Sequence, residues 1–105
     1  MRPFWHDLDV AGADVVLGGH SHHYERYVPV NAQQTPDAAG IREFVVGTGG
    51  KNHVGPTGPA PAISAVRDFT SFGVLELTLH PDGYDWEFVP VAGDSFTDRG
   101  SASCH

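Results

Sequence analysis

The chain has 105 residues, 40% of them hydrophobic and 18% charged, and its formal net charge of -7 sets thirteen acidic residues against six Lys and Arg. That balance excludes a disordered chain and argues against nucleic acid or an anionic membrane surface as a partner, since both need clustered cations. The length suits one small domain with a modest core, burying roughly 65% of the surface its unfolded form exposes.

Pro3 in a first helical turn, followed by Phe4, Trp5, Leu8 and Ala11, predicts a short helix with one apolar face that ends at Gly12. Val15-Val16-Leu17 then forms a near-continuous apolar run. It predicts a buried strand in a sheet covered on both faces, as the second half of an α/β unit. The strand that would precede such a unit has no counterpart here, so the chain reads as beginning inside a domain. Tyr27 to Val30 extends as strand, Asn31 to Gly40 reads as an exposed loop, and Ile41 to Thr48 is strand-like around Phe44, Val45 and Val46. Gly47 to Gly50 turns the chain, and Lys51 to Arg67, rich in Gly, Pro and Ala, reads as irregular. Over residues 72–91 the pattern is a β-hairpin. Leu75, Leu77 and Leu79 alternate with polar residues, His80-Pro81-Asp82-Gly83 turns, and Tyr84, Trp86 and Phe88 alternate again. Residues 92–105 read as a polar tail, laid over the domain or disordered, leaving 1–91 as the domain itself.

Gly19-His20-Ser21-His22 is the stretch with chemistry in it. In an extended segment residues i and i+2 point the same way, so His20 and His22 can present two imidazoles to one metal site while Ser21 points elsewhere. Gly18 and Gly19 allow a turn or a close approach there. Such a pair alone can be a chance doublet among seven histidines. The single cysteine, Cys104, has no partner for an internal disulfide and reads as an exposed thiol.

Taken from Gly19 to Arg26, GHSHHYER resembles the last metal-binding signature of the calcineurin-like metallophosphoesterases, and among them the purple acid phosphatases and their bacterial relatives. That pattern is Gly-His-x-His-x-Tyr-Glu-Arg after a hydrophobic strand. The segments IREFVVGTGG (41–50), FGVLELTLHPDGYDWEFVPV (72–91) and SFTDRGSASCH (95–105) are similar to the C-terminal part of bacterial members. The resemblance implies an α/β (α+β) fold: the C-terminal portion of a two-sheet sandwich flanked by helices, mostly β here with one short N-terminal helix. It implies metal-dependent hydrolysis of phosphate monoesters, an acid phosphatase-like activity, by the intact enzyme. His20 and His22 would each bind one ion of a two-metal centre of divalent or trivalent Fe, Zn or Mn. Tyr24, Glu25 and Arg26 would support the loop or contact substrate, and His23, at a variable position, is a candidate for substrate contact or proton donation. The pattern does not suit metallo-β-lactamases, which need Asp and His where Tyr24 and Glu25 stand, nor barrel amidohydrolases, whose barrel takes about 250 residues.

The family's other ligands, an N-terminal Asp, a GDxxY-type segment, a GNH-type segment and an upstream His, have no counterpart here. Gly93-Asp94 lies on the wrong side of the signature. The expectation is therefore that this chain alone binds metal weakly, turns over little or no phosphate ester, and needs the N-terminal part of such a domain. The alternative is an inactive remnant or a small non-enzymatic β-rich module. Without a motif, His53 reads as solvent-facing and Lys51 as a weak phosphate contact, while His6 and His80 lack ligand spacing; Trp5, Tyr84, Trp86 and Phe88 read as core aromatics. No leader-like segment opens the chain and no run reaches the ~18 apolar residues of a membrane span. As written the product would be cytoplasmic, although members of the family are often secreted.

Overall fold

The computed structural model describes residues 2–53, 55–56 and 58–105. Met1 lies outside the described residues, as do Val54 and Thr57 of the stretch expected to be irregular. The elements are α1 (Arg2–Val10), β1 (Val15–Gly18), β2 (Tyr24–Tyr27), β3 (Arg42–Val46), β4 (Ser64–Asp68), β5 (Gly73–His80), β6 (Gly83–Pro90) and β7 (Arg99–Ser103). This is a mixed α+β domain, mostly strand, with two sheets and one short helix. The first sheet runs β1-β3-β2-β4, with β1 parallel to β3 and the other pairs antiparallel; the second runs β5-β6-β7, all antiparallel. Among the described residues no helix is long and apolar enough to cross a membrane.

The helix stops where the sequence provides a left-handed residue. Gly12 has φ +79°, its N–H donates to the Asp9 carbonyl at 3.1 Å, and the Ala13 N–H reaches back to the Leu8 carbonyl at 3.0 Å. Those two bonds satisfy carbonyls that the last helical turn leaves open. Trp5 and Leu8 pack against Val16, Val28, Val30, Ile41 and Ile63, forming one core on the outer side of the first sheet. Phe4, expected on the same face, is instead exposed, because a nine-residue helix buries only a narrow stripe.

The main core lies between the sheets. Tyr24 and Phe44 from the first meet Tyr84, Trp86 and Phe88 from the second, with Val15, Val46, Val66, Leu75, Leu77 and Phe96 packed around them. Register explains the selection: Arg26 stands opposite Phe44 and Val66, and Tyr24 opposite Val46 and Asp68, so this row of the first sheet shares one face. Leu75, Leu77 and Leu79 stand opposite Phe88, Trp86 and Tyr84 across the predicted hairpin, whose turn is Pro81-Asp82.

Four expectations are corrected. Arg99–Ser103 is not tail but strand, paired with β6, and Phe96 before it enters the core. Ser64–Asp68, at the end of the stretch read as irregular, is also a strand, because it completes the first sheet beside β2. Beyond Tyr27 the chain leaves the sheet, and Val30 makes only isolated bridges to Pro36 and Ile41. Finally, β1 is an edge strand rather than a doubly covered one, and Leu17 is 57% exposed. Between the β1 edge and the β5 edge runs an open apolar groove of about 510 Å³, lined by Leu17, Val46, Val74, Leu75 and Leu77 and reaching Gly18 and Gly19.

Candidate metal centre

β1 ends at Gly18 and β2 begins at Tyr24, so residues 19–23 form a bend between two strands that both hydrogen-bond to β3. The i, i+2 rule for extended chain therefore does not by itself aim His20 and His22 together. What shapes the bend is the segment after β3. Gly47 donates its N–H to the His23 carbonyl at 3.0 Å, and a Cβ on Gly47 would overlap the carbonyl oxygens of Ser21 and Gly19. Only glycine lets the two segments lie this close.

The same segment orients one imidazole. His22 Nδ1 lies 2.8 Å from the Asn52 carbonyl oxygen, which can only accept, so Nδ1 carries the proton and Nε2 of the neutral ring keeps the lone pair. That is the arrangement of a ligand histidine held from behind. His20 is exposed. Among the described residues no three His, Cys, Asp or Glu side chains come together as a metal site.

His23 goes elsewhere. The residue is 7% exposed, and its ring stacks on Phe69 at 4.7 Å with 7° between planes and is engaged at both nitrogens: Nε2 with Glu25 Oε1 at 2.9 Å and Nδ1 with Ser21 Oγ at 2.8 Å. A carboxylate accepts, so Nε2 holds the proton and the Ser21 hydroxyl donates to Nδ1. Glu25 is 4% exposed, and Arg67 Nε lies 3.6 Å from its second oxygen. Burial works against ionising Glu25, but the hydroxyl of Ser64, the His23 ring and the hydroxyl of Tyr27 more than offset it, and its pKa lies below the ordinary value.

The remaining signature residues bind the far end of the chain. Arg26 donates to Asp98 through Nε at 2.7 Å and Nη2 at 3.1 Å, and the Tyr24 hydroxyl donates to the same carboxylate at 2.6 Å. Burial would raise Asp98, yet the donors Arg26 and Tyr24 hold it below the usual carboxylate range. The guanidinium groups of Arg26 and Arg42 each lie 4.9 Å from the Trp86 ring centroid. Tyr24 and Arg26 thus join β2 to the second sheet.

His53, read as solvent-facing, stacks instead on Phe72 at 3.9 Å and donates from Nε2 to the Ser71 carbonyl at 2.8 Å. Lys51 is exposed, His6 is exposed on α1, and His80 at the end of β5 pairs with Asp85. Sequence reasoning missed Asn52, Arg67, Phe69 and Asp98. Asn52 acts through its backbone, which carries no sequence signal, and the others reach the signature only through sheet pairing or packing. Sequence reasoning also passed over Ser21 and its alternation with His23 and Glu25, which stands in the sequence as a pattern. No protein-family model, no curated protein and no solved structure matches this chain.

Proposed function

We propose that this chain supplies the last metal-binding signature of a calcineurin-like metallophosphoesterase of purple acid phosphatase type, and that its two sheets are the C-terminal portion of that family's two-sheet sandwich. The observation that carries the reading is the complete Gly19–Arg26 signature together with the His22 imidazole, held by the Asn52 carbonyl so that Nε2 is free to coordinate. His20 and His22 are the residues that hold the ions, each one ion of a pair of the Fe, Zn or Mn class. Bound, such ions supply Lewis-acid stabilisation of charge on a phosphoryl oxygen. This chain's own part is to bind and to orient. Asn52 sets the His22 tautomer, Gly47 lets the bend lie flat against β3, and Tyr24 and Arg26 lock the following strand through Asp98.

The substrate class is a phosphate monoester, and the partner is the N-terminal part of such a domain, which brings the remaining donors. The exposed β1 edge and the apolar groove beside Gly18 and Gly19 support that partnership, since an unpaired apolar edge gains from another strand. The experiment is titration of the purified chain with Zn²⁺ and Mn²⁺, read by calorimetry and by the ring signals of His20 and His22, alongside aryl phosphate turnover. We expect weak binding that drops at least tenfold in His20→Ala and in His22→Ala, and turnover near background. Binding unchanged in both variants would refute the ligand assignment.

A second reading, a small non-enzymatic β-rich module, draws on the two cores the chain closes by itself, with Tyr24, Phe44, Phe88 and Ile41 fully buried. Cooperative melting of monodisperse chain favours it; aggregation through the β1 edge favours the larger domain.

A further inference from the structure

Beside the histidine pair stands an arrangement of side chains that the proposed metal site does not use. Ser21, His23 and Glu25 occur at every second position, and their side chains form one chain of hydrogen bonds: Ser21 Oγ–H to His23 Nδ1 at 2.8 Å, His23 Nε2–H to Glu25 Oε1 at 2.9 Å. Order and polarity are those of a nucleophile, a base and a carboxylate that orients the base. The three line a cavity of about 350 Å³ with Arg67, Phe69 and Pro59. Ser21 is exposed, while His23 and Glu25 are buried, so the hydroxyl is reachable and the groups behind it are shielded from water. The Phe69 stack holds the imidazole plane, and Arg67, 4.9 Å over the same Phe69 ring, brings positive charge to the cavity.

We propose that Ser21, His23 and Glu25 form a second, metal-independent acyl-transfer site that hydrolyses small, uncharged carboxylic esters. The Ser21 oxygen attacks the ester carbonyl carbon while its proton passes to His23 Nδ1, and Glu25 stabilises the imidazolium through Nε2–H. Arg67 offsets the negative charge that develops on the carbonyl oxygen. Collapse expels the alcohol, which takes the proton from His23 Nδ1 and leaves the acyl group on Ser21. Water, deprotonated by His23, then attacks the acyl carbon; as the Ser21 Oγ–acyl bond breaks, His23 Nδ1 returns that proton to Ser21 Oγ and the carboxylic acid leaves. The cavity is at the small end of ligand sites, and Phe69 and the proline suit a short acyl chain.

The test uses the purified chain in excess chelator, so that its outcome is separate from that of the metal-binding experiment. A fluorophosphonate probe is added and the modified serines are mapped by peptide mass spectrometry, while p-nitrophenyl acetate and butyrate report turnover. We expect Ser21 to be labelled at least tenfold faster than the exposed Ser95 and Ser103, with Glu25→Gln and His23→Phe each slowing that labelling tenfold or more. Ser21→Ala should remove ester turnover while the chain stays folded, with a lowered melting temperature from the lost hydrogen bond to His23. Labelling of Ser21 no faster than of Ser95 and Ser103, or ester turnover that survives Ser21→Ala, would overturn the proposal. If His23→Phe does not fold, Glu25→Gln and Ser21→Ala decide it.

Discussion

Arg26 and Asp98 are 72 residues apart in sequence and joined by two parallel hydrogen bonds, Nε to Oδ2 at 2.7 Å and Nη2 to Oδ1 at 3.1 Å, with both side chains mostly buried. One partner lies in the strand that follows the histidine bend and the other just before β7, so the pair ties the candidate site to the last strand of the second sheet.

Removing one member leaves the other charged and buried. Asp98→Ala should destabilise the chain by about 3 kcal/mol, measured by urea unfolding, as expected for breaking a buried pair by deleting one partner. Tyr24→Phe, which loses one hydrogen bond to the same carboxylate, should cost less, about 1.5 kcal/mol. Equal losses in the two variants would mean that the Arg26 bonds contribute nothing.

The pH dependence follows from three carboxyls whose shifts differ in sign. Asp98 and Glu25 both have folded pKa values below their ordinary 3.8 and 4.5. Their stabilisation is complete above the unfolded values and is lost as pH falls through the folded ones. Glu43 is raised, by burial first and then by the charge of Glu25. Ionised, it therefore costs stability, and that cost disappears as pH falls through its folded pKa, above 4.5. The urea midpoint should be level or rise slightly from pH 7 towards pH 5, then fall steeply below about pH 4. Glu43→Gln should abolish the rise, and Asp98→Asn should shrink the acid drop. A midpoint unchanged from pH 7 to pH 3 would contradict all three assignments.

Gly47→Ala pushes a methyl group into the carbonyl oxygens of Ser21 and Gly19. Backbone cannot swing aside as a side-chain tip can, so the bend must move. We expect a loss of about 2 kcal/mol, in the range for overpacking, and amide chemical-shift changes concentrated at residues 19–23. A spectrum that superimposes on wild type there would show that the segment after β3 does not press on the bend.

Phe44 is fully buried on β3 and its ring meets Trp86 of β6 edge-on at 5.7 Å. Phe44→Ala should cost about 4 kcal/mol through the cavity it opens. Because its contacts bridge the sheets, signals from both should be lost in one transition. Separate melting of the β5-β6-β7 amides would mean that the sheets are independent units.

Much of this protein was legible as local pattern. The hairpin over 72–91 came from period-two alternation, the end of α1 from Gly12, and the candidate metal ligands from an eight-residue resemblance in which spacing alone would not have distinguished His20 and His22 from a chance doublet. The hairpin and the helix end were readable because there neighbours in sequence are neighbours in space. Three matters were decided only by the tertiary structure. β7 and β4 carry weak patterns of their own and become strands because β6 and β2 offer them free edges. His22 receives its tautomer from a backbone carbonyl thirty residues on, a group every residue possesses and no sequence can flag. His23 and Arg26, close together in the signature, part to opposite sides, one to Glu25 and Phe69 and the other to Asp98 and Trp86, because alternate residues of a strand face different layers and the layers are assembled from distant parts of the chain.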